Sequence, residues 1–322
     1  MDIPYIIWFD VLPILVFLGG GWFLASKFKI EVKTYEIVIT RVVLPCFVFF
    51  SLYQVKLSAN DFLVLPAALL LTAILLVLSA VLSKGTAKGL PMERAFRAMA
   101  TFPNACYLGA VLVYLVYSHP PFASQGEPSS LPEALAILSL LMTFAHLALR
   151  TAGYAMVSRT PVSFSTLLLR ALETPVLYGA LLAFALQALS ISLRGTFIYP
   201  VLHHFTGAFV VLTAVTTGVM IERHHHFTRE MRVLLPALVK LLVSPLLAAA
   251  LLFVFPPMSA LTKEIFLIFS AIPCSMSFAM SETPEHDVMD FFHASLMTQM
   301  TLSLITLPLI IFLCRILFPA SL

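Results

Sequence analysis

The stretches ERAFRAMATFPNAC, residues 93–106, and KEIFLIFSAIPCSM, residues 263–276, decide how this chain is read. Each sets a proline inside an apolar run, and the two prolines, Pro103 and Pro273, stand 170 residues apart. The same separation relates Pro66 to Pro236, so VLPAALLLTAILL (64–76) faces LLPALVKLLVSPLL (234–247) in one register. Nearer the start, LPILVFLGGGWFLA (12–25) faces TPVLYGALLAFALQ (174–187) at an offset of 162, with Pro13 against Pro175. Insertions in the connections account for the changed offset. The chain therefore reads as two related halves, residues 1–160 and 161–322.

Of the 322 residues, 60% are hydrophobic and only 11% charged, where a soluble domain carries roughly a quarter charged residues. The composition is that of an integral membrane protein. Apolar runs bounded by Pro, Gly and charges give ten candidate spans, at about 6–25, 36–53, 61–83, 93–117, 133–157, 167–189, 200–221, 231–254, 263–281 and 290–317. Runs such as 62–82 and 234–255 are apolar on every side, which excludes the alternating pattern of a membrane β-barrel. The expected class is all-α, with ten transmembrane helices in two five-helix repeats. Five is odd, so the second repeat enters the membrane inverted. The N-terminal residues lack the basic region of a signal peptide, and their apolar run is read as the first span.

The 19 Lys and Arg residues fix an orientation. Thirteen fall on the loops after spans 1, 3, 5 and 7 and four, Lys56, Arg194, Lys263 and Arg315, on the opposite side, leaving Arg41 and Lys240 within spans. Positive loops remain in the cytoplasm, so both termini are expected outside, in a plasma membrane or a bacterial inner membrane. A net charge of +3 without a dense basic stretch gives no footprint for nucleic acid. Cys46, Cys106, Cys274 and Cys314 lack metal-ligand spacing. The histidines His203 and His204, and His224, His225 and His226 beside Glu222, read as ordinary loop and helix residues rather than a metal site. No catalytic motif or cofactor cradle is present, and the chain is read as neither an enzyme nor a cofactor protein.

A proline in mid-span removes one intrahelical hydrogen bond and obstructs another. Two such prolines in matched positions of inverted repeats point to discontinuous helices crossing near the membrane centre, the usual place of a transporter's substrate site. Asn104 follows the first break immediately. Its amide would donate to a carboxylate while the half-helix N-terminus attracts the same anion, with a local cap as the competing role. Thr101, Tyr107, Ser275 and Ser277 flank the breaks, and Gln299 sits in the last span among Thr298 and Thr301. Lys240 would attract an anion at membrane depth. His146 and Arg150 share one face of the fifth span, where a structural hydrogen bond is the simpler reading. Glu173 reads as an acid at the start of the sixth span, and GlyGlyGly at 19–21 as a close helix contact.

These motifs carry a family likeness. FPNACYLGAVLV (102–113) resembles the Pro-Asn or Gly-Asn followed by Gly-Pro pattern of the auxin efflux carrier family, which includes plant PIN-type carriers and bacterial malonate or malate permeases. LPILVFLGGGWFLASKFKI and RVVLPCFVFFSL look like that family's first two spans, VLLPALVKLLVSPLLAAALL like its eighth, and IFSAIPCSMSFAMSE with SLITLPLIIFL like its ninth and tenth. The chain lacks a Pro after Gly109 and an amide beside Pro273. The resemblance implies a scaffold from helices 1, 2, 6 and 7, a transport domain from helices 3–5 and 8–10, and a homodimer through the scaffold. It also implies a small organic anion bound at the crossing of helices 4 and 9 and carried by an elevator motion; on the reading of the residues themselves, that anion would contact Asn104, Pro103, Thr101, Tyr107, Pro273, Ser275, Ser277, Gln299 and Lys240. The alternatives are a sodium-coupled bile-acid-type carrier and a membrane sensor of the same fold that does not transport.

Overall fold

Lipid supplies no hydrogen bonds, so a chain this apolar must satisfy its backbone internally. The computed structural model describes residues 3–87, 89–119, 123–124, 127–128, 130–158, 160–223, 230–279 and 286–318. Those residues are helical except for connections and a two-residue ribbon pairing Ala123–Ser124 with Glu127–Pro128. His224, His225 and His226 lie outside the described residues, as do the bases Lys88, Arg159 and Arg229.

The helices are α1 (Pro4–Lys27), α2 (Val32–Gln54), α3 (Asp61–Thr86), α4 (Leu90–Thr101), α5 (Ala105–Tyr117) and α6 (Leu131–Val157). They continue as α7 (Phe164–Leu172), α8 (Pro175–Ala188), α9 (Ile198–Arg223), α10 (Met231–Leu251), α11 (Ala260–Ala271) and α12 (His286–Leu317). Seven of them, α1, α2, α3, α6, α9, α10 and α12, are long and apolar enough to cross a bilayer, and α7 with α8 makes an eighth candidate bent by 58°. The class is that of an all-α membrane protein. Outward side chains agree with it: Phe253 is 88% exposed and Ile305 73%, surfaces that only lipid or a partner would cover.

Two expectations are corrected. The sixth apolar run is not one straight helix, because Pro175 disfavours helical backbone at the residue before it, and Thr174 is extended at φ −88° and ψ 108°. Glu173, expected at a helix start, instead closes α7. Arg315, counted among the loop bases, lies inside α12, where it is buried and its guanidinium Nη2 is 3.0 Å from the Asp10 carboxylate of α1. The opposite charge inside the protein holds it away from the loop.

Five helical segments contain one widened turn, at 7–11, 39–43, 105–109, 149–153 and 239–243. In α1, α2 and α10 a proline follows two residues later, Pro13, Pro45 and Pro245. Each proline lacks an N–H for the carbonyl four residues back and its ring presses on that carbonyl, which lies inside the widened turn. Four of these turns hold one charged residue each, Asp10, Arg41, Arg150 and Lys240, and the fifth holds Tyr107. Widened turns often coincide with functional positions.

Packing is tightest where α1 runs along α9 and α2 along α8. A Cβ on Gly21 would overlap the Val215 carbonyl oxygen, and one on Gly218 would overlap that of Leu18. The two backbones therefore touch, as the GlyGlyGly run anticipates, and small residues are what allows it. Gly179 on α8 is pressed in the same way against Pro45 of α2. Gly218→Ala should cost about 1–3 kcal/mol through overpacking, whereas Gly207→Ala, with nothing within 4 Å of the added methyl, should leave stability unchanged or raise it. Thermal unfolding of the two variants in detergent, side by side, checks this.

Candidate functional site

The two prolines behave alike. α4 ends at Thr101 and α5 resumes at Ala105, while α11 ends at Ala271 and a short 3₁₀ turn forms at Met276–Phe278. Between these ends the chain is extended, and the two extended pieces meet as an antiparallel bridge between Pro103 and Cys274. Asn104 N donates to Pro273 O at 2.7 Å, and Ser275 N donates to Phe102 O at 2.8 Å. Each break thus satisfies backbone groups that the other leaves open. Gly109 makes the approach close, since a Cβ there would crowd the Ile272 side chain at 2.7 Å.

Polar side chains around the bridge fall into two groups. In the first, every role is structural on the visible contacts. Gln299 accepts from Cys274 N at 2.8 Å and donates to Met99 O at 3.1 Å, fastening α12 to both breaks at once. Lys240 Nζ donates to Ser270 O at 3.0 Å, joined there by Ser244 Oγ at 2.8 Å, so a cation and a hydroxyl cap the C-terminal carbonyls of α11. Ser275 Oγ accepts from Ser277 N and caps the 3₁₀ turn. Thr301 bonds its own helix at Met297 O.

The second group is buried and unspent. Asn104 is 2% exposed, and its Nδ2 has no hydrogen-bond partner; the same holds for Thr101 Oγ1, Tyr107 OH and Thr298 Oγ1. Asn104 makes no side-chain cap on the helix after it, so the competing role for this residue is not taken up.

A cavity of about 240 Å³ adjoins the breaks. Ser277 and Phe278 line it from the second break, His146, Arg150 and Tyr154 from α6, Glu36 and Thr40 from α2, and Arg170 from α7. His146 also reaches the first break, with Nδ1 3.9 Å from Cys106 Sγ. The Arg170 guanidinium lies over the Tyr154 ring, 3.3 Å from its centroid, which fixes one cation by stacking. Arg150 Nε is buried without a hydrogen-bond partner. By contrast, the cavity of about 320 Å³ between α1 and α12 carries no charged side chain.

The nine residues singled out from the sequence are thus all close to the bridge or bonded to its half-helices. Glu36, Thr40, Tyr154 and Arg170 escaped that reading because they come from three different helices. A signal existed for Arg150, which is four residues from His146. No family model matches the chain, and comparison with curated proteins gives no match.

The two amides at the bridge are predicted to separate by stability. Gln299→Leu strands a buried N–H and a buried carbonyl, each worth about 1–3 kcal/mol, while Asn104→Ala removes a donor that bonds nothing in the protein and should barely move the unfolding midpoint. Denaturant or thermal unfolding in detergent reads the difference, and equal losses would mean that Asn104 is structural too.

Proposed function

We propose that this chain is a secondary transporter of a small organic anion, a monocarboxylate or dicarboxylate, bound where the two helix breaks meet. The observation that carries the reading is an imbalance at the bridge. Acceptors at the ends of the incoming half-helices are occupied, Met99 O by Gln299 and Ser270 O by Lys240 and Ser244, whereas the donor Asn104 Nδ2 is buried and unpaired. A site with spare donors and spent acceptors favours an anion, and the N-terminus of α5 adds positive potential. Arg150 and Arg170 outnumber the one carboxylate, Glu36, in the adjoining cavity and attract the same charge. Net catalytic chemistry is not part of this reading.

The finer architecture belongs to the same proposal. Two inverted five-helix repeats, residues 1–160 and 161–322, would place α4–α5 and α11 as the broken, crossing fourth and ninth helices, and the matched prolines and the antiparallel bridge support that arrangement. On the auxin efflux carrier likeness, α1, α2, α7–α8 and α9 form the scaffold and the rest moves as an elevator. The close contacts of α1 with α9 and α2 with α8 support that grouping. Termini outside the cytoplasm follow from the distribution of Lys and Arg, and a homodimer follows from the same likeness. A sensor of this fold would bind the anion and move nothing.

Uptake of labelled mono- and dicarboxylates into proteoliposomes tests the proposal, together with thermal shifts, since a ligand selective for the folded state raises its stability. Asn104→Ala removes a hydrogen bond to a charged group, worth about 1.5–3 kcal/mol, so affinity should fall about ten- to a hundredfold. Binding without flux would favour the sensor, and carboxylate binding indifferent to both Asn104→Ala and Arg150→Gln would remove the site from the bridge.

A further inference from the structure

Two cavities that the anion reading leaves unused lie end to end on the face made by α2, α8 and α9. The first, about 490 Å³, is a groove lined by apolar and aromatic side chains, among them Phe49 of α2, Tyr178 and Leu182 of α8 and Leu202 of α9. The second, about 250 Å³, caps the groove where α2 stops and α8 turns toward α9, and Leu186 belongs to both. Its lining is polar, and it gathers Lys56 from beyond α2 and Arg194 from the connection between α8 and α9. Neither cavity is lined by an acid. Neither base is in an ion pair among the described residues.

The sequence explains why one face carries both. On α8, Pro175, Gly179, Leu182 and Leu186 recur at three- or four-residue spacing, and Ser190 continues the series just past the helix end. Such positions share one side of a helix. Pro45, Phe49 and Tyr53 do the same on α2. Hydrogen bonds hold the polar end in shape. Gln187 Nε2 donates to Leu52 O and to Val55 O, each at 2.8 Å. Tyr53 OH donates to Ile191 O at 3.1 Å and accepts from Leu193 N at 2.7 Å. The end of α2 that leads to Lys56 is thereby tied to the loop that carries Arg194. Ser190 closes α8 at φ 55°, a conformation that favours glycine, and brings a hydroxyl into the lining instead.

We propose that this face binds an anionic phospholipid, its phosphodiester held by Lys56 and Arg194 and one acyl chain laid in the groove along α8. An exposed base at a helix end is ordinarily solvated or snorkelling, but here two bases from separate loops converge on one cavity with an apolar groove leading away from it. From Pro175 to Leu186 α8 rises about 16 Å, close to half of a hydrocarbon core about 30 Å thick, which is the depth of one leaflet. The guanidinium of Arg194 can meet two phosphate oxygens at once, while Lys56 adds a point charge. Other occupants fit less well. A soluble anion would use the basic pocket and leave the groove empty, and a zwitterionic headgroup would bring an ammonium with no acid to receive it. A second copy related by two-fold symmetry would present the same two bases, like charge toward like. The site stands independently of the transport reading.

Native mass spectrometry of the full chain in detergent, titrated with phosphatidylglycerol or with phosphatidylcholine of the same acyl chains, counts bound lipid and copies of the chain together. Phosphatidylglycerol should bind the more tightly. Lys56→Gln with Arg194→Gln should weaken it about tenfold or more and leave phosphatidylcholine unchanged, whereas Lys27→Gln with Lys29→Gln, two bases outside the pocket, should not. All four side chains are exposed, so the unfolding midpoints without lipid should match that of the wild type. Leu182→Trp, which fills the groove from a position 52% exposed, should also weaken phosphatidylglycerol binding. Glycerol phosphate, which carries the charge without the chains, should raise the unfolding midpoint far less than the lipid does. Equal affinity for the two lipids, equal loss in the two double variants, or glycerol phosphate stabilising as much as the lipid would overturn the proposal. A dimer that Leu182→Trp splits while lipid adducts persist would overturn it too, and would give the face to a second copy.

Discussion

Two backbone hydrogen bonds, from Asn104 to Pro273 and from Ser275 to Phe102, are the constraint on which the interior arrangement depends. An extended segment at membrane depth has no solvent to satisfy it, so one broken helix alone would strand its amides and carbonyls. Two breaks facing each other antiparallel solve the problem jointly, in the way that strands pair in a sheet. The neighbours follow from this. Gly109 is small because Ile272 must approach, and Gln299 reaches both breaks because one N–H at Cys274 and one carbonyl at Met99 still need partners.

Once those groups are settled, the interior's remaining polarity can be sorted by what it has left to give. Gln299, Lys240 and Ser244 have spent themselves on backbone, and their replacement would first be felt as instability. Asn104 and Tyr107 have not, although each is buried as deeply. A buried group without a partner costs free energy, and beside a charged cavity an occupant would supply that partner. The widened turns fit the same division, since they set Arg150 and Asp10 at positions where a regular helix would direct them elsewhere.

Much of the fold was legible because hydropathy and proline positions are local signals. The runs that became α1, α2, α3, α6, α9, α10 and α12 announce themselves by length, and Pro103 and Pro273 mark the breaks directly. The bend between α7 and α8 was legible in principle from Pro175 and was passed over because the apolar run continues across it. The site was legible only in part. Asn104 stands next to a helix breaker and so draws notice, but the cavity joins Glu36, Tyr154 and Arg170 from separate helices, and no spacing along the chain encodes that meeting. Arg315 misled for a related reason: near the end of an apolar run it looks like a loop base until Asp10, 305 residues earlier, is seen beside it.

That pair also bears on how the bundle can move. A buried ion pair adds little net stability, because desolvation offsets most of the attraction, yet separating its members is costly. Such a contact is poor glue and a good latch, stable while both charges are matched and sensitive to any third charge nearby. Near it lies α11, whose far end, at Ser270 and Ala271, leads directly into the bridge. The helix is twelve residues long, about 18 Å at 1.5 Å per residue, and is packed against α12 along the way. One rigid element rather than a chain of loops therefore joins the start of α11 to the break at Pro273.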